Sequence, residues 1–106
     1  RHGETLQIDL VAYGESDEVY VVEMKSTLRQ DAFDQLSEHM RKLPRFCPEH
    51  RGKKLYGVLT ALDIPEDLRM RALNEGIYLG TIKDDVFEIV PPDDFVPRVF
   101  GLRSLG

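Results

Sequence analysis

Two strand-length apolar segments lie close together near the start of this chain, and each carries a carboxylate. TLQIDLVAYG spans residues 5–14 and EVYVVEMK spans residues 18–25, with the polar loop Glu15, Ser16 and Asp17 between them. The pair reads as a β-hairpin with both strands apolar enough to be buried, and an acid buried without a partner is expensive. Closing the loop between Gly14 and Glu18 sets Asp9 opposite Glu23 and Gln7 opposite Lys25. Directly opposed residues share a face of the sheet, with Cβ atoms roughly 4.5–5.5 Å apart. Like charges that close repel, so a cation is expected between them. A hard divalent ion, Mg2+ or Mn2+, suits carboxylate oxygens. Lys25 shares the face of Glu23 by strand alternation and offers another way to bridge the acids, as part of a purely structural ion network. A slip of one residue would send Asp9 to the other face.

The rest of the chain narrows the setting. Its 106 residues are enough for a single domain with its own core. Hydrophobic residues make up 42% and charged residues 31%, the balance of an ordinary globular protein. A lone cysteine, Cys47, excludes an internal disulfide and fits a reducing, cytoplasmic setting. No apolar run approaches the roughly 20 residues of a membrane-spanning helix, and no signal-peptide pattern opens the chain. It begins at Arg1, so a segment upstream is expected. The net charge is −5, yet residues 41–54 carry Arg41, Lys42, Arg45, Arg51, Lys53, Lys54 and His50 against Glu49 alone. Such a stretch is either a solvated helix end or a patch that contacts phosphates.

After the hairpin, T-x-x-Q at Thr27 to Gln30 fits a capping box. Leu28, Ala32, Leu36, Met40 and Leu43, with Phe33, then recur at helical spacing until Pro44, where the helix is expected to stop. Residues 47–52 read as a loop. Residues 53–62 are nearly continuously apolar, as in a strand buried on both faces, and strand–helix–strand implies a parallel crossover. A second helix is expected over residues 65–74 with Gly76 as its stop, then strands over 77–82 and 86–90 joined by a turn at Asp84 and Asp85. The chain thus divides into an α/β domain over residues 1–90 and a proline-rich apolar tail over 91–106, which either packs back or meets a partner.

Asp9, thirteen intervening residues, then Glu23-Met24-Lys25 followed by a helix resembles the PD-(D/E)XK nuclease superfamily, which includes restriction endonucleases and archaeal-type Holliday junction resolvases. The likeness covers roughly residues 5–82. It implies a restriction-endonuclease-like core, a mixed β-sheet flanked by helices. It also implies that Asp9, Glu23 and the Met24 carbonyl hold Mg2+ or Mn2+, that Lys25 positions or deprotonates the attacking water, and that Gln35 lies beside the site. The basic residues of the 41–54 stretch would then hold the DNA backbone, and a homodimer through the tail becomes plausible for a family that often cuts two strands. The chemistry is coherent, since a carboxylate-bound metal acidifies water and neutralises phosphate charge, and a desolvated lysine can carry a proton. Ile8 departs from the family's proline. The family's upstream acidic helix has no counterpart, and Glu4 falls on the wrong face of a regular strand to replace it. Two functions follow: a metal-dependent nuclease acting on DNA, or a catalytically inactive nuclease-like module that binds DNA or a protein partner.

Of the remaining chemistry-bearing residues, His39 lies beside the apolar stripe and reads as structural. His2, His39 and His50 show no metal-ligand spacing, Cys47 lacks a second thiol, and glycine-rich phosphate loops and tryptophan are absent from the sequence.

Overall fold

The computed structural model describes residues 7–100, which form five strands, two α-helices and one 3-10 turn. β1 (Leu10–Tyr13) and β2 (Glu18–Thr27) form the hairpin, with Leu10 opposite Val22 and Tyr13 opposite Val19. Gly14 N–H donates to the Glu18 carbonyl at 2.9 Å, so the loop closes where the charge and turn residues place it. The first strand is shorter than expected. The chain bends at Asp9, and Ile8 packs against the core instead of continuing the ladder. Asp9 therefore lies just ahead of the strand rather than inside it, and the expected pairing of Gln7 with Lys25 does not form.

α1 spans Asp31–Phe46 and buries Ala32, Phe33, Leu36, Met40 and Leu43, the expected stripe except Leu28, which is buried ahead of the helix. The capping box does not form. Thr27 pairs with Asp63 in the sheet, Leu28 N–H donates to the Asp63 carbonyl, and Gln30 caps the helix with no side-chain hydrogen bond. Continuing the ladder satisfies these backbone groups better than a local cap does. Pro44 does not stop the helix either. It sits in the last turn, where only one bond is forfeited, and Arg51 Nε donates to its carbonyl at 3.0 Å, supplying a partner at the helix end. A 3-10 turn, Pro48–His50, follows.

β3 (Lys54–Asp63) runs parallel to β2, and after α2 (Glu66–Glu75), β4 (Tyr78–Lys83) runs parallel to β3. β5 (Val86–Ile89) returns antiparallel through a turn in which Asp84 and Asp85 have φ of 53° and 64°. The sheet order is β1-β2-β3-β4-β5, a mixed α/β fold. Val19, Val21, Leu55 and Leu59 form one core with Leu36 and Leu43 of α1 and Leu68 and Ala72 of α2, so both helices cover the same face. Two crossovers of one hand that step the same way along a sheet must do this. Gly57 permits the close approach, since a Cβ there would lie 2.7 Å from Leu36 Cδ2. On the other face Tyr20 stacks on Tyr56 at 5.3 Å, with Tyr78 and Phe95 continuing the row.

The tail returns to the domain as far as it is described. Arg98 N–H donates to the Gly76 carbonyl at 2.9 Å, and Phe100 exchanges hydrogen bonds with Leu55 at 3.1 and 2.8 Å. Phe100 thereby occupies the edge of β3 that β4, paired only from Val58, leaves open. Val96 and Val99 remain exposed. The readings of His2, Glu4 and the last six residues lie outside the described residues.

Gly76 ends α2 with φ of 75°, and a Cβ there would meet the Arg98 backbone nitrogen at 2.5 Å. Gly76→Ala is expected to lower stability by about 1–3 kcal/mol, from the left-handed conformation and the clash together. Urea unfolding measures this, and an unchanged midpoint would show that the tail does not pack on the α2 cap.

Candidate functional site

The sheet buries few polar side chains, and Glu23 is one of them, at 3% exposure. It points from β2 toward α1, where His39 meets it: the imidazole Nδ1–H donates to Glu23 Oε2. Burial pushes the Glu23 carboxyl up from the ordinary glutamate range. His39 pulls it back by hydrogen bond and charge, Asp9 adds a like charge that raises it, Lys25 lowers it, and the balance is upward.

Asp9 reaches the same place from the other strand. Working outward from Gly14 and Glu18, the alternation of hydrogen-bonded pairs would join Met24 to Ile8. With the chain bent, the Met24 N–H instead donates to Asp9 Oδ2 at 2.7 Å. The carboxylate stands in for the missing ladder carbonyl. In extended backbone the Met24 carbonyl projects from the same edge of β2 as its N–H, toward Asp9. Asp9 thus meets the Met24 backbone where β1 and β2 part, with Glu23 near enough to feel its charge.

Lys25 does not bridge the two acids. Its Nζ donates to Gln35 Oε1 at 2.7 Å, so the helix glutamine holds the lysine. Gln35 and His39 are one helical turn apart on α1, while Lys25 and Glu23 are two residues apart on β2. The two pairs therefore lie side by side between strand and helix. Next to them an open cleft of about 300 Å³ is lined by Lys25, Ser26, Thr27, Arg29, Asp31 and Ala32. Lys25 and Arg29 bring positive charge to this cleft, and Asp31 brings negative charge.

The basic stretch lies elsewhere. Arg41 and Lys42 face Glu38, with Arg41 Nη2 at 2.5 Å and Lys42 Nζ at 3.9 Å from its carboxylate, and the Arg41 guanidinium pulls the Glu38 carboxyl down. Arg45, Arg51, Lys53 and Lys54 cluster where α1 ends and β3 begins. From Gln35 to Arg45 the helix advances about 15 Å. His39, which meets Glu23, stands mid-helix, so Arg45 lies about 9 Å further along α1, whereas Arg41 and Lys42 follow His39 by two and three residues.

Sequence reasoning placed Asp9, Glu23, Lys25 and Gln35 as candidates, and the structure brings all four to one end of β2. It missed His39 and Arg29. His39 carried a usable signal, because it follows Gln35 by four residues and so occupies the same helix face. Arg29 carried none, since its position depends on β2 running on to Thr27. Comparison with family models, curated proteins and solved structures returned no match.

The raised Glu23 carboxyl has a consequence for stability. The folded state holds that proton more tightly than the unfolded chain. Its contribution is therefore greatest below the unfolded-state pKa and is lost as pH rises through the raised folded value. Glu23→Gln, measured in chelator, is expected to stabilise the protein at pH 7 by on the order of 1 kcal/mol and to make no difference at pH 3. Thermal unfolding across pH checks this, and destabilisation at pH 7 would show that the charged pair with His39 outweighs burial.

Proposed function

We propose that this protein is a metal-dependent nuclease that hydrolyses phosphodiester bonds in DNA through a PD-(D/E)XK-type site. The observation that carries the reading is the meeting of Asp9, Glu23 and the Lys25–Gln35 pair at the point where the hairpin strands separate. The donors suit a hard cation: two carboxylates that repel one another, with a main-chain carbonyl on the same edge. Asp9, Glu23 and the Met24 carbonyl would hold Mg2+ or Mn2+, which supplies Lewis-acid polarisation of the phosphate and acidification of water.

The chain's own residues supply the rest. Lys25 is half-buried and held by the Gln35 carbonyl oxygen, which fixes the ammonium beside the acids, where it orients a water and takes or returns a proton at Nζ. Arg29 and Lys25 face the open cleft and attract a backbone phosphate. The cations between Arg41 and Lys54 extend this attraction along the duplex, and their share appears as salt dependence.

One observation favours a second reading. His39 already gives Glu23 a protein partner, as expected if the core has been retained as a binding module without catalysis. Cleavage of supercoiled plasmid with Mg2+ and with Mn2+ distinguishes the two. The nuclease reading expects Asp9→Ala and Lys25→Ala to lose about 100-fold or more in cutting while remaining folded. Equal cutting by parent and both variants contradicts it. A parent that binds DNA without cutting it, and loses binding in Arg51→Ala with Lys53→Ala, supports the binding module instead.

A further inference from the structure

Besides Glu23, the buried polar residues of the described chain include His50, at the opposite end of the sheet. It closes the 3-10 turn after α1, its N–H donating to the Cys47 carbonyl at 2.9 Å. The ring is 5% exposed and lies beside Tyr13, with Nε2 at 3.1 Å from the Tyr13 hydroxyl. Nδ1, equally buried, has no hydrogen-bond partner among the described residues. A buried polar atom left unpaired carries a desolvation penalty, so this nitrogen calls for a partner that the hydrogen-bonding groups of the described residues do not supply.

Cys47 and Glu49 stand next to it. A thiol sulfur, a carboxylate oxygen and an imidazole nitrogen from Cys47, Glu49 and His50 lie within 4.8 Å of one another. Around a bound zinc ion such atoms would be roughly 3.6 Å apart, given the usual bond lengths and tetrahedral angles. Half-buried Cys47 and exposed Glu49 belong to the same short turn and can rotate toward the His50 ring while it keeps its Tyr13 contact.

We propose that Cys47, Glu49 and His50 form a zinc site that ties the connection between α1 and β3 to the end of β1. The Tyr13 contact sets the chemistry. With Nε2–H donating to the Tyr13 hydroxyl, the lone pair sits on Nδ1, and a metal-bound histidine characteristically donates its other ring N–H in this way. Thiolate and imidazole select zinc over the hard cations that suit Asp9 and Glu23. Binding removes the Cys47 thiol proton to solvent, and three protein ligands leave a fourth position for water. The two sites are separate. Tyr13 pairs with Val19, four residues from Glu23 along β2, about 13 Å at the rise of a strand. The zinc proposal does not depend on the nuclease reading.

Cobalt and zinc titration of the reduced 106-residue chain tests it, in an Asp9→Asn, Glu23→Gln background so that the other acids do not contribute. The expected result is a thiolate-to-cobalt charge-transfer band that zinc abolishes. Cys47→Ser removes the band and weakens zinc binding about 100-fold or more. Tyr13→Phe keeps the band and weakens binding about 10–100-fold, as loss of an outer hydrogen bond does. His50→Gln is the harsher variant, since its ring is buried, whereas half-buried Cys47 tolerates serine and keeps the test decisive. No zinc binding by the parent, cobalt binding without the thiolate band, or equal zinc affinity in Cys47→Ser would each overturn the proposal.

Discussion

Glu23 is a carboxylate almost wholly removed from water, and the structure around it is arranged to meet that demand. His39 comes from α1 to donate to it, and α1 can stand so close because Gly57 offers no side chain against Leu36. Asp9 brings a second negative charge to the same place, which raises the Glu23 carboxyl further instead of relieving it. Lys25, the nearest cation on the strand, is held by Gln35. If stability alone had shaped this end of the sheet, an apolar residue would replace Glu23 at little loss, as buried ion pairs commonly permit.

The consequences run through the local backbone. β1 cannot continue past Leu10 as a regular partner, because Ile8 turns into the core and Asp9 takes the Met24 N–H that Ile8 would have accepted. The parting of the two strands opens an edge of β2 at Met24. The parallel partner β3 is unaffected, and its ladder with β2 extends as far as Thr27 and Asp63. That extension places Arg29 at the mouth of the cleft beside Lys25. The bend at Asp9, the open edge at Met24 and the cleft thus lie together at one end of β2.

Much of this was legible in the residues. The hairpin register followed from the Gly14–Glu18 closure, and the parallel β2–β3 pair from the order of strand, helix and strand, because alternation and crossover rules are strong local constraints. Gly76 and the Asp84–Asp85 turn marked their own positions through left-handed backbone. What failed were boundaries where a long-range contact outcompetes a local signal. Thr27 and Gln30 look like a capping box, but the β3 ladder takes Thr27, and Pro44 looks like a stop, but Arg51 supplies the terminal carbonyl with a donor. His39 and His50 read as scattered histidines because their partners, Glu23 and Tyr13, are strand residues distant in sequence. The restriction-endonuclease-like core remains a resemblance carried by Asp9, Glu23 and Lys25, while the fold itself is mixed α/β with both helices on one face of a five-stranded sheet.

The proposed nuclease site requires that Asp9 and Glu23 share a hard divalent cation. Calorimetric titration of Mg2+ and Mn2+ into the parent chain and into Asp9→Asn tests it most directly. Saturable binding of one ion by the parent, lost in Asp9→Asn, is the expected result. Saturable binding of equal affinity in both proteins, or none in the parent, would contradict it and leave Glu23 and His39 as a structural pair.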